Sequence, residues 1–99
     1  MSRALSAVAP RAYLETTIDV ASIPANSDAN IDVPVPRTRW RPGAPTFAEP
    51  VGDLPAGILL SHVRCESDSP SNNKIRFRLR NTTAAAIDPP PQTYRFIQY

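Results

Sequence analysis

The sequence holds one cysteine, one histidine, one lysine and three glycines in 99 residues. Each scarcity removes options. A lone Cys65 can form neither an intrachain disulfide nor a multi-cysteine metal site. Gly43, Gly52 and Gly57 match neither a Walker phosphate loop nor a dinucleotide fingerprint. No apolar run approaches the ~20 residues of a membrane span. The first ten residues lack the apolar stretch of an export signal, so synthesis in a cytoplasm without classical export is expected. None of the nine carboxylates falls in the spacing of a calcium loop. No metal or other cofactor is therefore expected.

Proline is abundant instead, at 12 residues. A helical protein could not absorb so many, because proline lacks the amide donor and clashes inside a helix. Strands joined by rigid connections can. The cations are ten arginines and Lys74, and the formal net charge is only +2. Arginine favours planar, bidentate contacts to carboxylates and suits protein interfaces. High-GC codon usage gives the same bias.

The clearest pattern lies near the C-terminus. In Lys74-Ile-Arg-Phe-Arg-Leu-Arg80, Ile75, Phe77 and Leu79 point one way and Lys74, Arg76, Arg78 and Arg80 the other. This period-2 alternation predicts a strand with one face on a core. Further strands are expected at 14–20, 31–36, 38–41, 46–49, 58–66 and 92–99. The run 58–66 is the most apolar and reads as the central strand, forming a hairpin with 74–80 across the Asp68–Asn73 turn. Pro34 and Pro36 place 31–36 at a sheet edge. Seven or eight short strands with turns between them indicate an all-β protein, a small antiparallel β-sandwich of jelly-roll type. Residues 1–13 read as an extended N-terminal arm and 14–99 as one domain. A domain of this size buries roughly 65% of the surface its unfolded chain exposes, so association with other subunits is the usual supplement.

No reaction centre is legible, and a non-enzymatic role is expected. Ser61 and His62 are neighbours on a strand, so strict alternation sends their side chains to opposite faces and keeps them apart. Cys65 shares a face with Leu59, Ser61 and Val63 under the same rule and reads as a buried thiol. Arg76, Arg78 and Arg80 form a ladder with a spacing of about 6.7 Å. That ladder is either a solvated face paired with carboxylates such as Glu66 or Glu15, or a contact to an acidic protein surface. Arg37, Arg39 and Arg41 make a second row opposite Trp40, which is either a core plug or an interface anchor. Phe77 lies opposite the arginine ladder, which disfavours single-strand nucleic-acid binding. Candidate contact residues are Arg3, Arg11, Arg37, Arg39, Trp40, Arg41, Arg76, Arg78 and Arg80.

The order of segments is also familiar. Ile23-Pro-Ala-Asn-Ser27, Ile31-Asp-Val-Pro34 and Leu54-Pro-Ala-Gly-Ile-Leu-Leu-Ser-His-Val-Arg64 are followed by Ile75–Thr83 and Ala86-Ile-Asp-Pro-Pro-Pro-Gln-Thr-Tyr-Arg-Phe96. Over residues 14–99 this resembles small virion structural proteins of tailed bacteriophages. Its best markers are the Arg80-Asn-Thr-Thr83 corner and the Ile87-Asp-Pro-Pro90 bend. The resemblance implies a capsid decoration or cement protein on the virion surface, with the major capsid protein and its own copies, as a homotrimer, for partners. A head or tail fibre module that binds a host surface is the alternative. Neither membrane nor specific nucleic acid is implied.

Overall fold

A computed structural model describes residues 10–99. Among these there are six strands and no helix: β1 Ala12–Ile18, β2 Asp28–Pro36, β3 Thr46–Pro50, β4 Ile58–Ser67, β5 Asn72–Asn81 and β6 Gln92–Gln98. They form two antiparallel three-stranded sheets, ordered β1-β6-β3 and β2-β5-β4. Each central strand supplies the residues that close the core. Ile75, Phe77 and Leu79 of β5, and Tyr94 and Phe96 of β6, are fully buried. Across the layers, Phe77 meets Tyr94 and Phe96 with ring centroids 5.4 and 5.6 Å apart. The alternation of β5 thus becomes the contact between the two sheets.

The β4–β5 hairpin forms as expected, closed by Ser69 N–H donating to Asn72 O. The edge position of β2 also holds, with Pro34 and Pro36 exposed and Val33 and Val35 buried. β4, however, is an edge strand, and β5 takes the centre of its sheet. Apolar content misled here, because Leu59 is 59% exposed and contributes nothing to the core. β1 starts at Ala12, which pairs with Gln98, so the expected arm loses its last residues to the sheet. Of the rest of that arm, residues 1–9 lie outside the described residues, and Arg11 N donates to Gln98 O.

No strand forms at 38–41. Three buried polar side chains shape the connections instead. Gln98 bridges the backbone of Arg41, its Oε1 accepting from Arg41 N (2.7 Å) and its Nε2 donating to Arg41 O (2.8 Å). Asn73 Nδ2 donates to Trp40 O at 2.6 Å. These bonds hold the segment as a turn and press Trp40 into the core at 3% exposure. Asn81, at the end of β5, is fully buried. Its Nδ2 donates to the carbonyls of Ile23, Pro24 and Ala85, and its Oδ1 accepts from Thr83 N and Thr83 Oγ1. The expected corner is present, but the side chain of Asn81 makes it, and its backbone stays in the strand.

Gly57 completes that corner. Its carbonyl accepts from Thr82 N and Thr82 Oγ1, and its φ of +89° lies in the left-handed region. A Cβ there would collide with the Thr83 methyl group, whereas one at Gly43, φ +80°, meets nothing within 4 Å. Gly57→Ala is therefore expected to destabilise by about 2 kcal/mol and Gly43→Ala by about half as much. Urea denaturation of the two variants checks the contrast; equal losses would show that the Thr83 contact carries no cost.

Candidate functional site

The two outer faces of the sandwich differ in kind. On the β2-β5-β4 face the arginine ladder is real, and its partners come from β2. Arg76 grips Asp32 with two hydrogen bonds, Nε to Oδ1 at 2.7 Å and a terminal nitrogen to Oδ2 at 2.9 Å. Arg80 donates to Asp28 Oδ1 at 2.9 Å. Lys74 lies 3.8 Å from Asp32 and 4.0 Å from Asp68. Glu66 pairs with Arg64 on its own strand, and Glu15 belongs to the other sheet. The register explains the choice, because Asp32 and Asp28 stand directly opposite Arg76 and Arg80.

The Arg76 guanidinium holds the Asp32 carboxyl below its usual range, with Lys74 adding to the effect. A depressed folded pKa means that the stability it contributes is full above the unfolded carboxylate range. It is lost as pH falls through the folded value. Asp32→Asn is thus expected to lower stability at pH 6 by no more than about 1 kcal/mol, the range of exposed pairs. The gap to wild type should close below about pH 4. Melting curves from pH 6 to 2.5 test the sign; a gap that widens on acidification would refute it.

β4 carries a bulge. Ser61 faces Arg78 and Arg64 faces Arg76, so His62 and Val63 together oppose Phe77. His62 takes the extra position with φ +55°. One inserted residue reverses the side-chain alternation beyond it. Ile58 and Leu60 point inward before the bulge, Val63 and Cys65 after it. Two expectations fail for this reason. Leu59 and Ser61 do not share the face of Cys65, and Ser61 does meet His62, Oγ to Nδ1 at 2.8 Å. Among the described residues no carboxylate hydrogen-bonds the ring to orient it as a base, and the pair lies open to water. Cys65 is buried, and burial raises its thiol pKa, so the thiolate that reacts is disfavoured.

The β1-β6-β3 face presents aromatic side chains. Register places Tyr13, Ile97 and Phe47 in one row across its three strands. Tyr99 meets Phe47 edge-on, with ring centroids 5.8 Å apart. Tyr13, Phe47 and Tyr99 are 53%, 55% and 41% exposed, against full burial for the aromatic residues on the inner side of the same sheet. The next row is ionic. Arg95 donates from Nε to Glu15 at 3.2 Å and from a terminal nitrogen to Glu49 at 3.0 Å, and Tyr13 hydroxyl also donates to Glu15. Hydrogen bonds from Tyr13 and Arg95 hold the Glu15 carboxyl below its usual range. Phe47, Ala48, Glu49, Arg95 and Ile97 line a shallow cavity of about 240 Å3 between these rows. Ligand pockets are usually larger, roughly 300–1,000 Å3, and this dent is the size for one side chain of a partner.

The expected contact residues are scattered. Arg3 lies outside the described residues. Arg11, Arg37, Arg39 and Arg41 are exposed, and the last three lie on turns and form no row. Arg37 donates to Pro70 O across the loop. Trp40 is inside the domain and offers a partner nothing. Arg76, Arg78 and Arg80 remain together on β5. Sequence reasoning missed Phe47, Ile97 and Tyr99, and took Tyr13 only as the last residue of an arm expected to make contacts. Tyr13, Phe47 and Ile97 alternate with inward residues on their strands, and Tyr99 follows the inward Gln98 at the end of β6; that was the available signal.

Among the described residues no group of three or more His, Cys, Asp or Glu side chains is placed to hold a metal ion. No protein-family model, curated protein or solved structure matches this chain.

Proposed function

We propose that this chain is a non-enzymatic structural protein of a virus particle, a capsid decoration protein that seats on the outer shell between capsomers. The aromatic row of the β1-β6-β3 face carries this reading. Tyr13, Phe47 and Ile97 stand together on the sheet, with Tyr99 just past the end of β6, and the core on the inner side is already filled. Exposed apolar patches rimmed by polar groups mark protein contact sites, and tyrosine and phenylalanine are typical of interface centres. Here the Glu15–Arg95–Glu49 row supplies the polar rim on one side.

The strand order supports a jelly-roll winding. β1 with β6 and β2 with β5 are successive stretches of one antiparallel ribbon, and β1 to β4 alternate between the sheets. On this reading the fold is a jelly roll with one hairpin fewer than the usual eight strands. In such a particle the major capsid protein is the partner under the aromatic face, and three copies assemble around a local symmetry axis. Each standard interface buries about 1,600 Å2, and repetition over a shell resists opening of the seams. A fibre module would carry its aromatic anchors at loop tips. Here Tyr13 and Phe47 lie on strands and Tyr99 directly follows one, and Trp40, the one tryptophan, is buried in a loop.

The test is rebinding to particles stripped of this protein. Tyr13→Ser with Phe47→Ser removes two exposed rings and is expected to leave the melting temperature nearly unchanged. Affinity should fall at least tenfold, or about 1.4 kcal/mol, with a matching loss of particle heat resistance. Wild-type occupancy by the double variant would remove the aromatic face from the account.

A further inference from the structure

The opposite face holds a gap in its charge pairing. β2 presents Asp28, Asn30 and Asp32 outward, facing Arg80, Arg78 and Arg76 in turn. Three of the five cations on this face hydrogen-bond a carboxylate: Arg64 with Glu66, Arg76 with Asp32 and Arg80 with Asp28. Lys74 lies within 4.0 Å of both Asp32 and Asp68. Arg78 has only a share of one carboxylate. Its cross-strand neighbours are Asn30 on one side and Ser61 on the other. The nearest carboxylate oxygen is Asp28 Oδ2, at 3.8 Å, beyond hydrogen-bond distance and on a side chain that already serves Arg80. Arg78 Nε is buried with no acceptor among the described residues. That nitrogen is closed to a partner, but the side chain as a whole is 33% exposed, and the terminal nitrogens of a guanidinium can meet a carboxylate in two parallel bonds.

We propose that the row Asn30–Arg78–Ser61 is a receptor site for one carboxylate side chain of a partner protein. Arg78 supplies the charge and the fork; the Asn30 amide and the Ser61 hydroxyl flank it as neutral donors. Ser61 Oγ lies 2.8 Å from His62 Nδ1 at the bulge; with the proton on Nδ1 the ring donates to Oγ and leaves the hydroxyl hydrogen free for the slot. The surroundings select the ligand. Asp28 and Asp32 flank Asn30 on β2 and would repel a nucleic-acid backbone, which brings many phosphates at once. A single monoanionic carboxylate adds one charge to a face that has one uncancelled cation, counting five cations against four carboxylates. The inference concerns the face away from the aromatic row and does not depend on the virion reading.

The experiment is a titration of the 15N-labelled full chain, following arginine Nε–H resonances at constant ionic strength. The probes are the capped tripeptides Gly-Glu-Gly and Gly-Gln-Gly, inorganic phosphate and a thymidine oligonucleotide. The Arg78 resonance is expected to shift saturably with the glutamate peptide and to stay still with the glutamine peptide, while Arg76 and Arg80 move far less. Asn30→Asp supplies the missing carboxylate from within the sheet. That variant is expected to keep or raise the melting temperature and to lose at least fivefold in peptide affinity. A silent Arg78 resonance, equal shifts at all three arginines, or undiminished binding by Asn30→Asp would overturn the site. Saturation by phosphate or oligonucleotide at lower concentration than by the glutamate peptide would overturn the carboxylate assignment.

Discussion

Phe77→Ala is expected to lower the unfolding free energy by about 4 kcal/mol, a loss in the range of buried aromatic truncations. Phe77 has no exposed surface, and it is the residue through which β5 touches both aromatic residues of β6. Removing its ring leaves a cavity between two sheets that have no helix to collapse into it. Domains of this size hold roughly 5–15 kcal/mol in total. The variant therefore sits close to unfolding at 37 °C. Phe77→Leu keeps most of the volume and should cost only about 1.5 kcal/mol. Urea unfolding of both variants measures the difference. A loss under 1.5 kcal/mol for the alanine variant would mean that the layers are not joined through this ring.

Asn81→Asp is the second large effect, expected at about 3 kcal/mol or more at pH 7. The exchange keeps size and shape. It replaces an amide that donates to three carbonyls with an oxygen that faces the same three, those of Ile23, Pro24 and Ala85. Repulsion and a buried charge then act where two connections meet. The Ile23–Ile87 bridge, with reciprocal backbone bonds of 2.8 and 3.0 Å, lies beside this corner and should open first. Hydrogen exchange at Ile23 and Ile87 amides reports that opening, and denaturation reports the total. Native protection of both amides in the variant would show that the Asn81 side chain does not hold the corner.

These two residues also mark what was legible in the chain. The 75–77–79 alternation needs no knowledge of partners, because one face of a strand either is apolar or is not. The Arg80–Thr83 corner was likewise visible in its turn-forming residues. The bulge at His62 was not. It arises from two residues of β4 sharing one position opposite β5, and single-strand alternation contains no trace of it. Its effect spread to the predicted neighbours of Cys65 and to the Ser61–His62 pair. The loss of the expected strand at 38–41 has a related reason: Gln98 and Asn73, 57 and 33 residues away, bind the backbone of Arg41 and Trp40. The carboxylates that serve the arginine ladder depended on register as well, so Asp28 and Asp32 could not be told from Glu15. The aromatic face needed the longest reach, since Tyr13 and Phe47 become neighbours only because β6 lies between their strands.

The most direct test of the account is to locate the chain in an image reconstruction of the particle that carries it, at a resolution that orients the two sheets. The account predicts density on the outer shell at joints between capsomers, with Tyr13, Phe47, Ile97 and Tyr99 turned toward the capsid. Density confined to a tail or fibre, or a shell position with those four side chains facing solvent, would contradict it.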